Sequence, residues 1–338
     1  MKRTSRTTLA GLITSFFHDQ LQRLRGASPN TVRSYGHALR LYLVFVGELR
    51  RRSVADLRLT DLDVDSVVAF LNHLESKRGN TPATRNCRLT ALRSFFRYLT
   101  HHDPVNAGQY QVVLSLPLKR ARLQPATYLE PEQARVIIGQ PDRRTEAGAR
   151  DHSLLLFLYN TGARIAEALG VRVEDLEFGR RPQIRLRGKG NRERVCPLWR
   201  ETAVALGRLL ERQPPPAGGS IFRSARGASL TRDGAAYIIE KHVRGASQGT
   251  PALRRLRVTP HVFRHSCAVA LLQSGVDLVV IRDYLGHASV STTSRYVSSN
   301  LKLRRSVLEA FWKRAGIETA KADRRRPTPD ILRFLESL

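Results

Sequence analysis

The chain has 338 residues, 41% hydrophobic and 25% charged, with 57 Lys+Arg against 29 Asp+Glu and a formal net charge of +28. That length exceeds one ordinary core and points to two domains. So large a cationic excess points to a polyanionic partner, either nucleic acid or an anionic surface. No apolar stretch nears the ~20 residues that a membrane span needs. Three widely separated cysteines, Cys87, Cys196 and Cys267, offer neither a disulfide framework nor a metal pattern and suit a reducing cytoplasm. The basic excess is spread over both halves, and arginine outnumbers lysine, which favours bidentate phosphate contacts.

In chain order, Met1-Lys2-Arg3 before the apolar run 9–17 has the outline of a secretory leader. No small-residue cleavage site follows, however, and the run passes into His18-Asp19-Gln20-Leu21, so it reads as a first helix. Ser28-Pro29 makes an N-cap and first-turn pair, after which Val32, Tyr35, Leu39, Leu43 and Val46 recur at helical spacing. A helix is expected over 65–75, and Thr81-Pro82 opens another with Leu89, Leu92, Phe96 and Leu99 on one stripe. Residues 1–115 therefore read as an all-helical domain. Residues 116–128, with Lys119, Arg120 and Arg122, read as a basic linker.

From Glu130 the pattern is mixed. Helices are expected over 131–138 and 149–160, and 183–187 and 192–198 alternate as two strands joined by Gly188-Lys189-Gly190-Asn191, a glycine-rich hairpin turn. There follow a helix over 206–212, a surface loop through Pro214-Pro215-Pro216 and Gly218-Gly219, and a short apolar piece at Ile221-Phe222. A helix over 231–243 and a loose segment over 245–253 come next. Thr259-Pro260 starts a helix that Gly275 ends, a further helix closes at Leu285-Gly286, and 290–297 is helix-like. The fold class is thus mainly α with a small β-sheet, the second domain being mixed α+β over 129–315 with a tail at 316–338.

The chemistry turns on Tyr296. A phenol with a pKa of about 10 attacks phosphorus only where cations stabilise the phenolate and the developing charge. Candidates for that role are ordered along the chain. Arg164 follows Thr161-Gly162-Ala163 at the start of a helix, whose N-terminus adds partial positive charge. Lys189 lies at the hairpin tip, and His261 and Arg264, three apart, project from one helix face. His287 sits at the corner after Leu285-Gly286, nine residues before Tyr296. Each has an ordinary reading as well. A lone tyrosine is usually a surface residue of an amphipathic helix, and a surface arginine usually pairs with a carboxylate. Residues 277–297 also fit a helix-turn-helix, although that leaves Arg164 and Lys189 unexplained. His261 and His265 lack the glutamate of a zinc-protease helix, and Arg264 between them opposes a cation. Gly188-Lys189-Gly190 lacks the rest of a phosphate-binding loop.

Together these segments resemble the tyrosine recombinases, the family of phage integrases and Xer-type recombinases. The resemblance is carried by Thr161-Gly162-Ala163-Arg164-Ile165-Ala166-Glu167, Gly188-Lys189-Gly190 with Arg194-Val195-Cys196-Pro197-Leu198, Thr259-Pro260-His261-Val262-Phe263-Arg264-His265-Ser266, Leu285-Gly286-His287, and Thr293-Ser294-Arg295-Tyr296. It implies a helical core-binding domain followed by a catalytic domain, the two closing around DNA. It also implies roles. Arg164 and Arg264 would clamp the scissile phosphate, and Lys189 would protonate the leaving 5′ oxygen. His261 would act as base or proton relay, His287 would position the phosphate, and Glu167 would orient the site from behind. Tyr296 would form a 3′-phosphotyrosyl bond that keeps the ester energy, so neither ATP, a metal nor another cofactor is required.

The implied activity is site-specific recombination of double-stranded DNA, whether integration, excision, transposition or multimer resolution. A homodimer would sit on each site and a tetramer in the synapse, with a related recombinase or accessory proteins as further partners and no membrane. Two alternatives remain: a type IB topoisomerase-like nicking and resealing enzyme, and a non-enzymatic DNA-binding regulator. The terminal stretch 330–338, with Ile331, Leu332, Phe334, Leu335 and Leu338, is too apolar to stay in water and is expected to dock as a helix, on its own chain or on a neighbouring protomer.

Overall fold

A computed structural model describes residues 8–121, 127–188 and 192–286. The chain divides into two compact units, Met1–Gln124 and Pro125–Leu338. In the first unit, α1 (Leu9–Ser15) runs into a π-helical segment (Phe16–Leu24), followed by α2 (Pro29–Arg50), α3 (Val64–Ser76), α4 (Pro82–His102) and α5 (Ala107–Ser115). The expected start signals at Ser28 and Thr81 work as capping chemistry predicts, and Asp63 adds a cap beyond those expected. Ser28, Asp63 and Thr81 accept hydrogen bonds from the backbone N–H of Thr31, Ser66 and Thr84, and Pro29 and Pro82 occupy first-turn positions whose N–H would otherwise lack a partner.

The π-helical segment has a packing reason. Phe16 and Leu21, five residues apart, are both buried, and the wider π turn brings positions at that spacing onto one face. Phe16 meets Phe95 edge-on at 5.2 Å, and Tyr42 meets Phe70 at 5.4 Å, in a core shared by all the helices of this unit. The Tyr42 hydroxyl is bonded to Ser66 Oγ at 2.7 Å, and burial pushes its pKa well above the ordinary phenol value.

The second unit contains α6 (Pro131–Gly139), α7 (Glu146–Thr161) and α8 (Ile165–Leu169). A three-stranded antiparallel sheet follows, β1 (Leu176–Glu177), β2 (Gln183–Arg187) and β3 (Glu193–Pro197), in the order β1-β2-β3. Then come α9 (Arg200–Arg212), α10 (Arg232–Gly249), α11 (Pro260–Gln273) and α12 (Leu278–Leu285). The hairpin forms where the alternation placed it, with Ile184 opposite Cys196 and Arg187 opposite Glu193, and the Gly188 N–H donates to the Arg192 carbonyl at 2.8 Å.

Helix α7 is the central element. Leu154, Leu155, Leu156, Phe157 and Leu158, five successive positions that go right round the helix, are all buried, so the rest of the unit packs around it. A polar pin fixes its first half, where Asp151 takes His242 Nε2 at 2.9 Å and the Arg150 guanidinium at 2.6 Å. Burial alone would raise the Asp151 carboxyl, but the bonds from His242 and Arg150 outweigh it and hold the pKa below the ordinary carboxylate value. The expected loose segment over 245–253 is corrected. Helix α10 continues to Gly249, followed by a 3₁₀ turn over Pro251–Arg255, because Ala246 is buried and Gly245 lets the Gln140 side chain approach its backbone. Among the described residues no helix is long and apolar enough to cross a membrane.

Where α7 ends, Gly162 adopts φ +56°, and a Cβ there would sit 2.4 Å from Leu285 Cδ2 and 3.2 Å from Cys267 Sγ. The Gly162→Ala variant is therefore expected to lose about 2–5 kcal/mol of stability, combining a left-handed alanine with overpacking. Chemical denaturation of the two proteins side by side measures it.

Candidate active site

The site is built where α7 and α12 end and α8, β3 and α11 begin. Arg164 occupies the N-cap of α8, and its backbone N–H is accepted by Glu167 Oε2 at 2.9 Å. The same carboxylate reaches back with Oε1 to Arg164 Nη1 at 2.7 Å, and its Oε2 also takes Arg194 Nη2 from β3 at 2.8 Å. Glu167 is itself buried. Burial would raise its pKa, but the bonds and charge of Arg194, joined by those of Arg164, hold the carboxyl below its ordinary range. Arg164 remains 42% exposed at its side chain, so it is braced from behind and open in front.

Arg264, on the first turns of α11, is 2% exposed. Its Nη1 donates to the Gly162 carbonyl at 2.7 Å and its Nη2 to the Leu285 carbonyl at 2.7 Å. Arg164 Nη2 donates to the next carbonyl, that of Gly286, at 3.2 Å. Two guanidinium groups exactly one hundred positions apart in the sequence thus meet at adjacent carbonyls of the turn that leads to His287. Gly286 takes φ +65° there, closing α12 in the left-handed conformation that glycine favours. A small apolar cluster of Cys267, Ala268, Val269, Ile281 and Leu285 holds α12 against α11 and fixes this corner.

His261 stands at the start of α11, one edge in solvent and its ring 4.3 Å from that of His265 in an edge-to-face contact. Desolvation on its packed side, and then the positive charges of Arg264 and Arg164, lower its pKa below the ordinary 6.5, leaving a neutral imidazole at neutral pH. Among the described residues no cluster of His, Cys, Asp or Glu could hold a metal ion.

Of the residues expected in the site, the structure brings Arg164, Glu167, His261 and Arg264 together. Lys189, His287 and Tyr296 lie outside the described residues, as do the second half of the candidate helix-turn-helix and the terminal apolar stretch. Arg194 belongs to the cluster but was not singled out by its motif. Its signal lies in the alternation of β3, where Arg194 and Cys196 share the inward face while Glu193 and Val195 are exposed.

A half-exposed arginine and a buried one, both braced beside a neutral histidine in a mixed domain that follows a helical one in the chain, make a cationic site suited to phosphodiester chemistry. Residues 127–303 match the phage integrase family and residues 13–103 the phage integrase N-terminal SAM-like domain. The chain therefore belongs to the phage integrase family and is a tyrosine recombinase, an enzyme that breaks and rejoins DNA strands. It is 38% identical to a putative integrase/recombinase, y4rC, of Sinorhizobium fredii over 99% of this chain and 100% of that one. It is 30% identical to the tyrosine recombinase XerD of Listeria innocua over 90% and 99% of the two chains. The fold is similar to that of the XerH site-specific recombinase in a post-cleavage complex with its palindromic difH substrate, with a TM-score of 0.68 at 22% identity over 89% of this chain and 85% of that one. It is also similar to the Tn1549 transposon integrase in complex with a circular intermediate DNA, with a TM-score of 0.65 at 16% identity over 88% and 99%.

Proposed function

We propose that this recombinase cleaves and reseals a specific DNA site through Tyr296, with Arg164, Lys189, His261, Arg264 and His287 as its catalytic groups and Glu167 as their support. The observation that carries the reading is the meeting of Arg164 and Arg264 at the Leu285–Gly286 carbonyls, one residue before His287 in the sequence. In the reaction, the Tyr296 hydroxyl oxygen attacks the scissile phosphorus while His261 accepts its proton. The 5′ oxygen leaves with a proton from Lys189, and the 3′ phosphate stays esterified to the tyrosine. The arginines offset the charge that grows on the non-bridging oxygens. A 5′-hydroxyl from another strand then reverses the steps. One phosphate ester replaces another throughout, so resealing needs no ATP.

Residues 1–115 serve in this reading as the core-binding domain, 116–128 as a linker, 129–315 as the catalytic domain and 316–338 as a tail that docks in cis or on a neighbour. The functional unit is a dimer on each duplex site and a tetramer in the synapse. The protein acts in the cytoplasm, a placement supported by the buried free thiols of Cys196 and Cys267, the latter pushed up to about 12 by burial. Its biological outcome is integration, excision, transposition or multimer resolution.

The test is to incubate the protein with duplex DNA selected from a random pool by binding, and to look for an SDS-resistant protein–DNA adduct. Binding without any adduct would favour the regulator reading, while adducts without exchange between two duplexes would favour the topoisomerase-like one. The pH dependence has a definite sign. A base must be unprotonated, and the pKa of His261 is lowered from 6.5. The acid limb of single-turnover cleavage is therefore expected to have its midpoint below pH 6.5. The His261→Gln variant should lose roughly a hundredfold in rate, and with it that acid limb.

A further inference from the structure

Three consecutive carbonyls at the end of α12 are each held by a different arginine. Arg194 Nε donates to Tyr284 O at 3.0 Å, Arg264 Nη2 to Leu285 O at 2.7 Å and Arg164 Nη2 to Gly286 O at 3.2 Å. The first of these lies outside the catalytic set. Arg194 has only 12% of its side chain exposed, and its Nη2 donates to Glu167 Oε2 at 2.8 Å while Arg164 Nη1 donates to Oε1 at 2.7 Å. One buried carboxylate is thus shared between the arginine that faces outward and one that does not.

We propose that Arg194 is a positioning residue for strand cleavage. By pairing with one oxygen of Glu167 it balances part of that carboxylate's charge, so that less of it offsets Arg164 toward the scissile phosphate, and by holding Tyr284 O it fixes the corner from which the chain enters His287. The assignment rests on the recombinase reading above. Its logic is one of charge. Among the described residues, Arg164, Arg194 and Arg264 against Glu167 leave a net charge of two positive units around the Leu285–Gly286 corner. A phosphodiester carries one negative charge and approaches two as it becomes pentacoordinate. Without Arg194, Glu167 and Arg164 would close into a neutral pair and leave one positive charge. The loss then falls on the transition state and not on the bound diester. A guanidinium suits the task because its fork reaches a carbonyl and a carboxylate at once, which a lysine ammonium at the end of a flexible stem does less well.

The experiment is single-turnover cleavage of the binding-selected duplex, with wild type and Tyr296→Phe alongside. Arg194→Gln is expected to cleave roughly 10- to 100-fold more slowly at unchanged DNA affinity, less than the loss of a group that touches the phosphate. Arg194→Lys, which keeps the charge, should stay within about fivefold of wild type. A methylphosphonate at the scissile position removes one negative charge from the diester, so on that substrate the gap between Arg194→Gln and wild type should close; a brace alone would leave it unchanged. Equal slowing of the Gln and Lys variants, or a gap that persists on the methylphosphonate, overturns the assignment. If Arg194→Gln melts below the assay temperature, the Lys variant carries the test, and a fall in its rate as deep as about a hundredfold overturns the assignment. Cleavage by Arg194→Gln at the wild-type rate overturns the assignment alone. A wild type that forms no adduct through Tyr296 overturns the recombinase reading and the assignment with it.

Discussion

Tyr296→Phe is expected to abolish covalent attachment to DNA completely while leaving duplex affinity within about twofold of wild type, because phosphate contacts dominate binding and the substitution removes one hydroxyl. Gel shifts measure the affinity and SDS-resistant adducts measure the chemistry. The two readouts separate because the nucleophile contributes a bond that exists only after attack. A regulator whose cationic surface were its whole function would give the same gel shift for both proteins and no adduct for either. The net charge of +28 also predicts that binding weakens steeply with salt in both.

Arg264→Ala should lower cleavage by on the order of a thousandfold, since in the proposed reaction it removes a cation that offsets the charge growing on the phosphate. Its effect extends beyond the phosphate. Arg264 is almost fully buried and bonds the carbonyls of Gly162 and Leu285, so truncation leaves two buried acceptors without their donor, each costing about 1–3 kcal/mol. A melting curve should therefore fall together with the rate. Arg264→Lys distinguishes the contributions, because an ammonium restores charge but cannot span both carbonyls in one plane. It should recover part of the stability and remain roughly a hundredfold slow in single-turnover cleavage. By contrast Arg164, with its side chain 42% exposed and its brace on Glu167, should lose rate on truncation with little change in melting.

Much of this arrangement was legible in the sequence. Ser28-Pro29 and Thr81-Pro82 marked helix starts because a hydroxyl cap and a proline without an N–H answer the same local need, and the helices begin there. The hairpin at 183–198 was legible from alternation, since Ile184, Leu186 and Cys196 face inward. Signals of this kind depend on a few neighbouring residues. Features that depend on distant partners were not visible. β1 is two residues long and exists through its pairing with Gln183 and Ile184. The last turns of α10 carry Gly245 and Gly249, which local propensity reads as a break, yet tertiary packing of Ala246 overrides it.

The site divides in the same way. Arg164, Glu167, His261 and Arg264 were found because their motifs are ordered along the chain, and they lie together. Arg194 was passed over because an arginine in a strand looks like a solvated one until the phase of the strand is fixed. Only the fold brings Tyr284 O and Glu167 within its reach. The Cys267–Leu285 contact that fixes the α12 corner likewise joins segments too far apart for any periodicity to connect them.

The most direct measurement is to trap the adduct on a nicked duplex, digest both protein and DNA, and identify the joined residue and the polarity of the bond by mass spectrometry. The account predicts a phosphate linking the Tyr296 hydroxyl to a 3′ end, with a free 5′-hydroxyl on the released strand. Attachment through another residue, or to a 5′ end, would contradict it.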